Sequence, residues 1–194
     1  MKPEIFLRIL SRAEQLKNTP RHSWTSAGRR ESVAEHCWRL ALMAYLIKDE
    51  FPQADQEKLL SMCLLHDMGE AFTGDIPAFE KGPADESREE AVLAAWVEEL
   101  PQPYRRDMAV LFEELKAQES LEARLVKALD KLEALIQHNE ADISTWLPLE
   151  YDLQLSYGQK ETRFSPWLRA LMEEVNEDSR RKIREAKEAK SPRG

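Results

Sequence analysis

Apolar side chains recur at the three-to-four-residue spacing of a helix face along nearly the whole chain, and runs of alternating β-branched residues are absent. The pattern predicts an all-α fold. A first helix over 3–17 gathers Ile5, Phe6, Ile9, Leu10 and Ala13 on one side. Residues 18–31, with Pro20, Gly28 and several Ser and Thr, read as a loop. Ser32-Val33-Ala34-Glu35 fits a capping box, in which the Ser oxygen and Glu carboxylate satisfy the first free N–H groups of a helix running to about Glu50. Further helices are predicted over 55–67, stopping near Gly69, and over 85–99, 103–116 and 120–139, with a loop at 72–83. Residues 141–165 are mixed, with a short helix near 149–159. A last helix starts at Ser165-Pro166, where proline suits a first turn, and runs into a charged tail.

The chain has 194 residues, which makes one domain the default and allows a substantial core. Its longest unbroken apolar run, Leu40 to Ile47, is far short of the ~20 residues of a membrane span. Glu4 and Arg8 interrupt the N-terminal apolar positions, so no secretory signal is visible. Cys37 and Cys63 make neither a disulfide framework nor a Cys-x-x-Cys pair, and read as small buried hydrophobes. A cytoplasmic protein with no membrane partner is expected. The net charge of −8 argues against nucleic-acid polymers as partners. Residues 180–194 carry +5 and read as a solvated helix end, which leaves −13 on residues 1–179. An anionic substrate therefore needs a local cluster of basic groups.

Phosphate-loop, dinucleotide and nucleophile-elbow motifs are absent. What remains is a set of His and Asp residues on predicted helices. His36 sits in the first turns of its helix, His66-Asp67 ends the next, and Asp130 lies among Leu125, Val126, Leu129 and Leu132. Charges in such apolar surroundings are costly unless paired. A divalent cation would satisfy two imidazoles and two carboxylates together and keep positions open for water or substrate. Taken singly, His36 is a structural helix-start residue and Asp130 a partner for Lys127, Lys131 or Arg124; the ordered set favours the metal. Glu70 falls four residues after His66 and three after Asp67, on the same helix face if the helix continues, where a general acid or base is wanted. Asp75 lies in the loop that follows. His22 and His138 have no such company and read as surface or loop residues. Trp38 and the helix of Trp96 read as core packing or as an interface.

Ser32-Val33-Ala34-Glu35-His36, Leu64-Leu65-His66-Asp67-Met68-Gly69-Glu70-Ala71, Thr73-Gly74-Asp75-Ile76 and Lys127-Ala128-Leu129-Asp130 resemble the H…HD…D signature of the HD-domain metal-dependent phosphohydrolases. The resemblance covers about residues 5–175 and is closest to the 5′-deoxynucleotidase branch, through the HD-x-x-E-x-x-x-G-D stretch. It implies a helical HD bundle over 1–179, followed by the tail at 180–194. It implies one divalent ion (Mn, Co, Fe, Ni, Zn or Mg) held by His36, His66, Asp67 and Asp130, with Glu70 assisting the attacking water and Asp75 at the substrate. An Arg and a Trp ahead of the first His contact phosphate and base in that family. Arg21 and Trp24 are the counterparts, with Arg29 and Arg30 as alternatives to Arg21. An Arg fork fits a phosphate and an indole offers a stacking face.

The implied reaction is metal-dependent hydrolysis of (deoxy)nucleoside 5′-monophosphates to nucleoside and phosphate, by a chain that forms a homodimer. Two rivals stand beside it. One is an HD-type phosphodiesterase or triphosphohydrolase, which would want more basic residues. The other is a helical module with a structural metal, which would need neither Glu70 nor open coordination positions.

Overall fold

The computed structural model describes residues 1–190. Its helices are α1 (Pro3–Ala13), α2 (Gln15–Asn18), α3 (Val33–Leu46), α4 (Gln56–Leu65), α5 (Glu70–Thr73), α6 (Pro83–Glu98), α7 (Tyr104–Ala117), α8 (Leu121–Glu140), α9 (Glu150–Leu153), α10 (Gln159–Thr162) and α11 (Pro166–Lys190). A 3-10 turn covers Ile143–Thr145, and two short strands, β1 (Pro20–Trp24) and β2 (Arg30–Ser32), pair in the only sheet among the described residues. The all-α expectation holds apart from this hairpin. No described helix is long and apolar enough to cross a membrane.

The hairpin corrects the loop expected over 18–31. Its inward positions are Ser23 and Glu31, at 6% and 2% exposure, so no apolar alternation announces the strands. Its turn closes with the Thr25 N–H donating to the Arg29 carbonyl at 2.7 Å, and Gly28 at φ +77° supplies the left-handed residue. The first predicted helix divides at Glu14 into α1 and α2. The predicted 72–83 loop begins later, since α5 runs to Thr73. The helix expected near 149–159 is two short ones, separated by Gly158 at φ +71°. Of the tail at 180–194, residues up to 190 continue α11, and residues 191–194 lie outside the described ones.

The described residues divide into two compact units, residues 1–22 with 31–126, and 23–30 with 127–190. In the first, Leu16, Val33, Cys37, Met68, Ala71, Trp96, Val97 and Leu100 form one apolar cluster. Leu40 on α3 and Leu59 and Met62 on α4 are fully buried. Trp96 is thus a core residue, but Trp38 is 62% exposed, which overturns its reading as core packing. It shares the outer face of α3 with Leu42, Tyr45 and Leu46, opposite the buried His36, Cys37, Leu40 and Ala44.

In the second unit a polar knot replaces part of the apolar packing. Gln154 Nε2 donates to the Leu135 carbonyl (3.0 Å), to Asn139 Oδ1 (3.1 Å) and to Ser179 Oγ (3.2 Å). Asn139 in turn donates to the Val175 carbonyl at 2.9 Å. The knot ties α8, the stretch after α9, and α11 at groups too buried for water to serve.

The capping box forms as the sequence predicts. The Glu35 N–H donates to Ser32 Oγ at 3.3 Å, while Glu35 Oε2 accepts from the Ser32 N–H at 2.9 Å. It fixes where α3 begins, and so the height of His36 one turn inside. Ser32→Ala is expected to cost about 1 kcal/mol of stability, read as a lower urea midpoint with unchanged slope. A change under ~0.3 kcal/mol would mean that the box does not hold the start of α3.

Candidate metal centre

His36 is fully buried on α3, and His66 caps the C-terminus of α4. The chain then turns through Asp67, Met68 and Gly69 into α5, whose first residue is Glu70. His36 Nε2 lies 3.7 Å from Asp67 Oδ2, and His66 Nε2 lies 3.1 Å from the same oxygen. The two rings are 5.4 Å apart, tilted by 56°. One donor atom from each of His36, His66 and Asp67 lies within 4.8 Å of the other two. Donors bound to one ion at ~2.1 Å stand about 3–3.5 Å apart at tetrahedral or octahedral angles. The set comes close to that spacing.

The protonation pattern favours the same reading. His66 Nδ1 is 3.0 Å from the Cys63 carbonyl, and a carbonyl only accepts, so Nδ1 carries the proton. Neutral His66 thus presents a lone pair at Nε2. That atom is buried, and Asp67 Oδ2 lies 3.1 Å from it. Burial disfavours charge on His66, yet Asp67 and the Cys37 sulfur outweigh it and hold the imidazolium well above the ordinary histidine range. The cluster draws positive charge, and two nitrogens with one oxygen suit a divalent transition metal. His36, His66 and Asp67 therefore fit such an ion.

Asp130 belongs to the second unit, where its Oδ2 lies 3.1 Å from Lys131 Nζ. Lys131 also lies 4.9 Å from the centre of the Tyr157 ring. Among the two bystander histidines, His22 packs edge-on against Phe79 with centroids 5.4 Å apart, and His138 lies 3.4 Å from Glu150 against Trp146. The sequence reads both as surface or loop residues; each is half-buried instead, His22 on β1 and His138 on α8.

Carboxylates crowd the turn beyond Asp67. Glu70 is 7% exposed, and its Oε2 is buried without a hydrogen-bond partner. Burial first, then Asp67, Asp75 and Glu89, push its pKa up to about 10, while Arg21 opposes them. Gly74 at φ +80° ends α5 and turns the chain toward Asp75. Burial raises the Asp75 pKa as well, against the lowering influence of Arg21 and of a hydrogen bond from the His22 backbone. Arg21 is thus in the electrostatic neighbourhood of Glu70 and Asp75. Its Nη1 pairs with Glu31 Oε2 at 3.0 Å. Arg29 and Arg30 are exposed, and the Arg30 guanidinium stacks on the Trp24 ring at 4.5 Å. The Trp24 carbonyl accepts from Gln137 Nε2 at 2.7 Å.

Three neighbours were missed in the sequence. Glu31 aims Arg21, and reading 18–31 as a hairpin would have found it. Glu89 on α6 lies so near Gly69 that a Cβ there would stand 2.5 Å from Glu89 Cγ. Lys81, on the loop before α6, donates to Glu89 Oε2 at 2.6 Å. No local signal marks either of these last two.

His66→Ala and Asp67→Ala are each expected to lose bound metal, by elemental analysis of protein that still melts cooperatively. Stoichiometric metal retained in both would move the site elsewhere.

The model of the HD domain family matches residues 13–172 of the chain. A 5′-deoxynucleotidase HDDC2 from Homo sapiens is 37% identical over 139 residues, 70% of this chain and 66% of that protein. The chain thus spans about two thirds of that relative's length. The protein of the same description from Danio rerio is 32% identical over 182 residues, 91% of this chain and 89% of its own. Among solved structures, a predicted metal-dependent phosphohydrolase from Magnetospirillum magnetotacticum MS-1 superposes with a TM-score of 0.73 at 27% identity, covering 90% of this chain and 93% of the other. With its buried histidines and the adjacent aspartate drawn to one point, and a family match across most of its length, the chain belongs to the HD domain family.

Proposed function

We propose that the protein is a metal-dependent phosphomonoesterase that hydrolyses (deoxy)nucleoside 5′-monophosphates to nucleoside and phosphate. The observation that carries this reading is a buried, unpartnered Glu70 carboxyl beside the His36–His66–Asp67 set. A structural metal site needs no such group. The names of the human and Danio rerio relatives support the substrate class.

In this reading His36, His66 and Asp67 hold the ion, with Asp130 as the fourth ligand. When bound, the cation supplies a Lewis acid for a phosphoryl oxygen and acidifies water. Glu70 orients the attacking water and takes its proton as the new P–O bond forms; the bond from phosphorus to the nucleoside 5′-oxygen breaks, and that oxygen leaves as a hydroxyl with the proton that Glu70 returns. Arg21, aimed by Glu31, balances charge on the phosphoryl oxygens in a transition state stabilised electrostatically. Asp75 accepts hydrogen bonds from the substrate. Trp24 gives the nucleoside a flat apolar surface, one face of which Arg30 already covers. A few cations among many carboxylates suit a single phosphate group better than a di- or triphosphate.

For assembly we propose a homodimer, supported by the outward stripe of Trp38, Leu42, Tyr45 and Leu46, an apolar face on a helix already apolar on its inner side. A dimeric parent by analytical ultracentrifugation, made monomeric by Trp38→Glu, is the expected result; a monomeric parent would end this reading. A cytoplasmic location is supported by Cys37 and Cys63, both buried thiols outside any disulfide.

The reaction is tested by phosphate release from a nucleotide panel with and without chelator. Monophosphates should be cleaved and chelator should stop it; pyrophosphate or triphosphate released at comparable rates would favour the phosphodiesterase or triphosphohydrolase class. Glu70→Gln should keep its metal and lose about 10²–10⁴ in turnover. Normal turnover in that variant would remove Glu70 from the chemistry.

A further inference from the structure

We propose that Lys81 is a second phosphate-binding cation of the site, acting beside Arg21 and parked by Glu89 over the turn that carries Asp67 and Glu70. The inference rests on the phosphomonoesterase reading and adds a residue to its substrate contacts.

Three observations place the ammonium there. Glu89 lies against the backbone of Gly69, the residue between Met68 and Glu70: a Cβ on Gly69 would stand 2.5 Å from Glu89 Cγ and 2.9 Å from Oε1. A side chain at position 69 would run into the Glu89 side chain where it now lies. The other carboxylate oxygen of Glu89 holds Lys81 Nζ at 2.6 Å. The charges of Glu70 and Asp67 both reach Lys81 and favour its protonated form, and Lys81 in turn acts on Asp75. The ammonium therefore shares the electrostatic neighbourhood of Arg21.

The chemistry of the site gives it a task. Asp67, Glu70, Asp75 and Glu89 would repel a phosphate dianion, and the chain as a whole carries −8. Arg21 is already shared with Glu31. An ammonium has three N–H donors, and among the described residues Lys81 makes one hydrogen bond, to Glu89. Two donors are left for phosphoryl oxygens. With 24% of its side chain exposed, Lys81 is reachable by a ligand, and its loop anchors at Gly82, whose N–H donates to Asp85 Oδ2 at 3.1 Å.

The simpler alternative is that Lys81 only neutralises Glu89. The two roles separate in a pair of variants, measured as manganese-loaded protein. Inorganic phosphate binding is read by calorimetry, KM by hydrolysis of a deoxynucleoside monophosphate, and metal content by elemental analysis. Lys81→Met should weaken phosphate binding and raise KM by about tenfold to a hundredfold, the worth of a charge-assisted hydrogen bond, with metal content unchanged. Lys81→Arg should stay within a few-fold of the parent. The double variant Lys81→Met/Glu89→Gln should remain as weak as Lys81→Met. Recovery of phosphate affinity in the double variant would overturn the proposal, because a neutralising lysine is dispensable once Glu89 is neutral. Parent-like phosphate affinity in Lys81→Met, or loss of its metal, would overturn it too. Calorimetry needs no turnover. A parent that fails to hydrolyse nucleotides while Lys81→Met still loses phosphate would end the nucleotidase reading and leave Lys81 as an anion-binding residue.

Discussion

Negative charge packed around one buried turn is the constraint from which the rest of the site follows. Asp67, Asp75 and Glu89 all act on Glu70 there, Asp67 acts on Asp75 as well, and burial removes the water that would screen them. Such a cluster persists only with compensation. Burial and the neighbouring carboxylates favour the protonated form of Glu70, Asp67 favours that of His66, Arg21 is held close by Glu31, and Lys81 is held by Glu89. A divalent cation among His36, His66 and Asp67 is the larger compensation in the functional reading. It would place positive charge where the carboxylates concentrate, and release Glu70 from the need to stay protonated.

The backbone delivers these groups with few residues. The capping box at Ser32 sets the start of α3 and hence His36. The end of α4 presents His66 and then Asp67, on a turn where consecutive side chains diverge enough for both to reach one point. Gly69 admits α6 with Glu89, and Gly74 turns the chain toward Asp75. Each glycine acts differently: Gly69 by leaving room, Gly74 by its left-handed φ. Hydrogen bonding to the Cys63 carbonyl sets the tautomer of His66, as the outer partner of a metal-binding imidazole commonly does.

Helical periodicity determined most of the secondary structure. α3, α4, α6, α7, α8 and α11 lie within a few residues of where apolar spacing, capping residues and proline put them, because those signals are local. The H…HD…D pattern likewise determined the family, since His36, His66 and Asp67 are tied to helix positions that a sequence displays. Tertiary structure alone decided the hairpin at β1 and β2, whose inward residues are polar and leave no alternation to read. It decided that Trp38 faces outward, because α3 is apolar on both sides and its composition does not say which side is covered. It decided the company of Glu70 as well. Lys81 and Glu89 come from a loop and a distant helix, and nothing local in the chain says that they meet one turn, or that Glu31 on a strand holds Arg21. Charges couple through space, over distances that depend on how the helices pack.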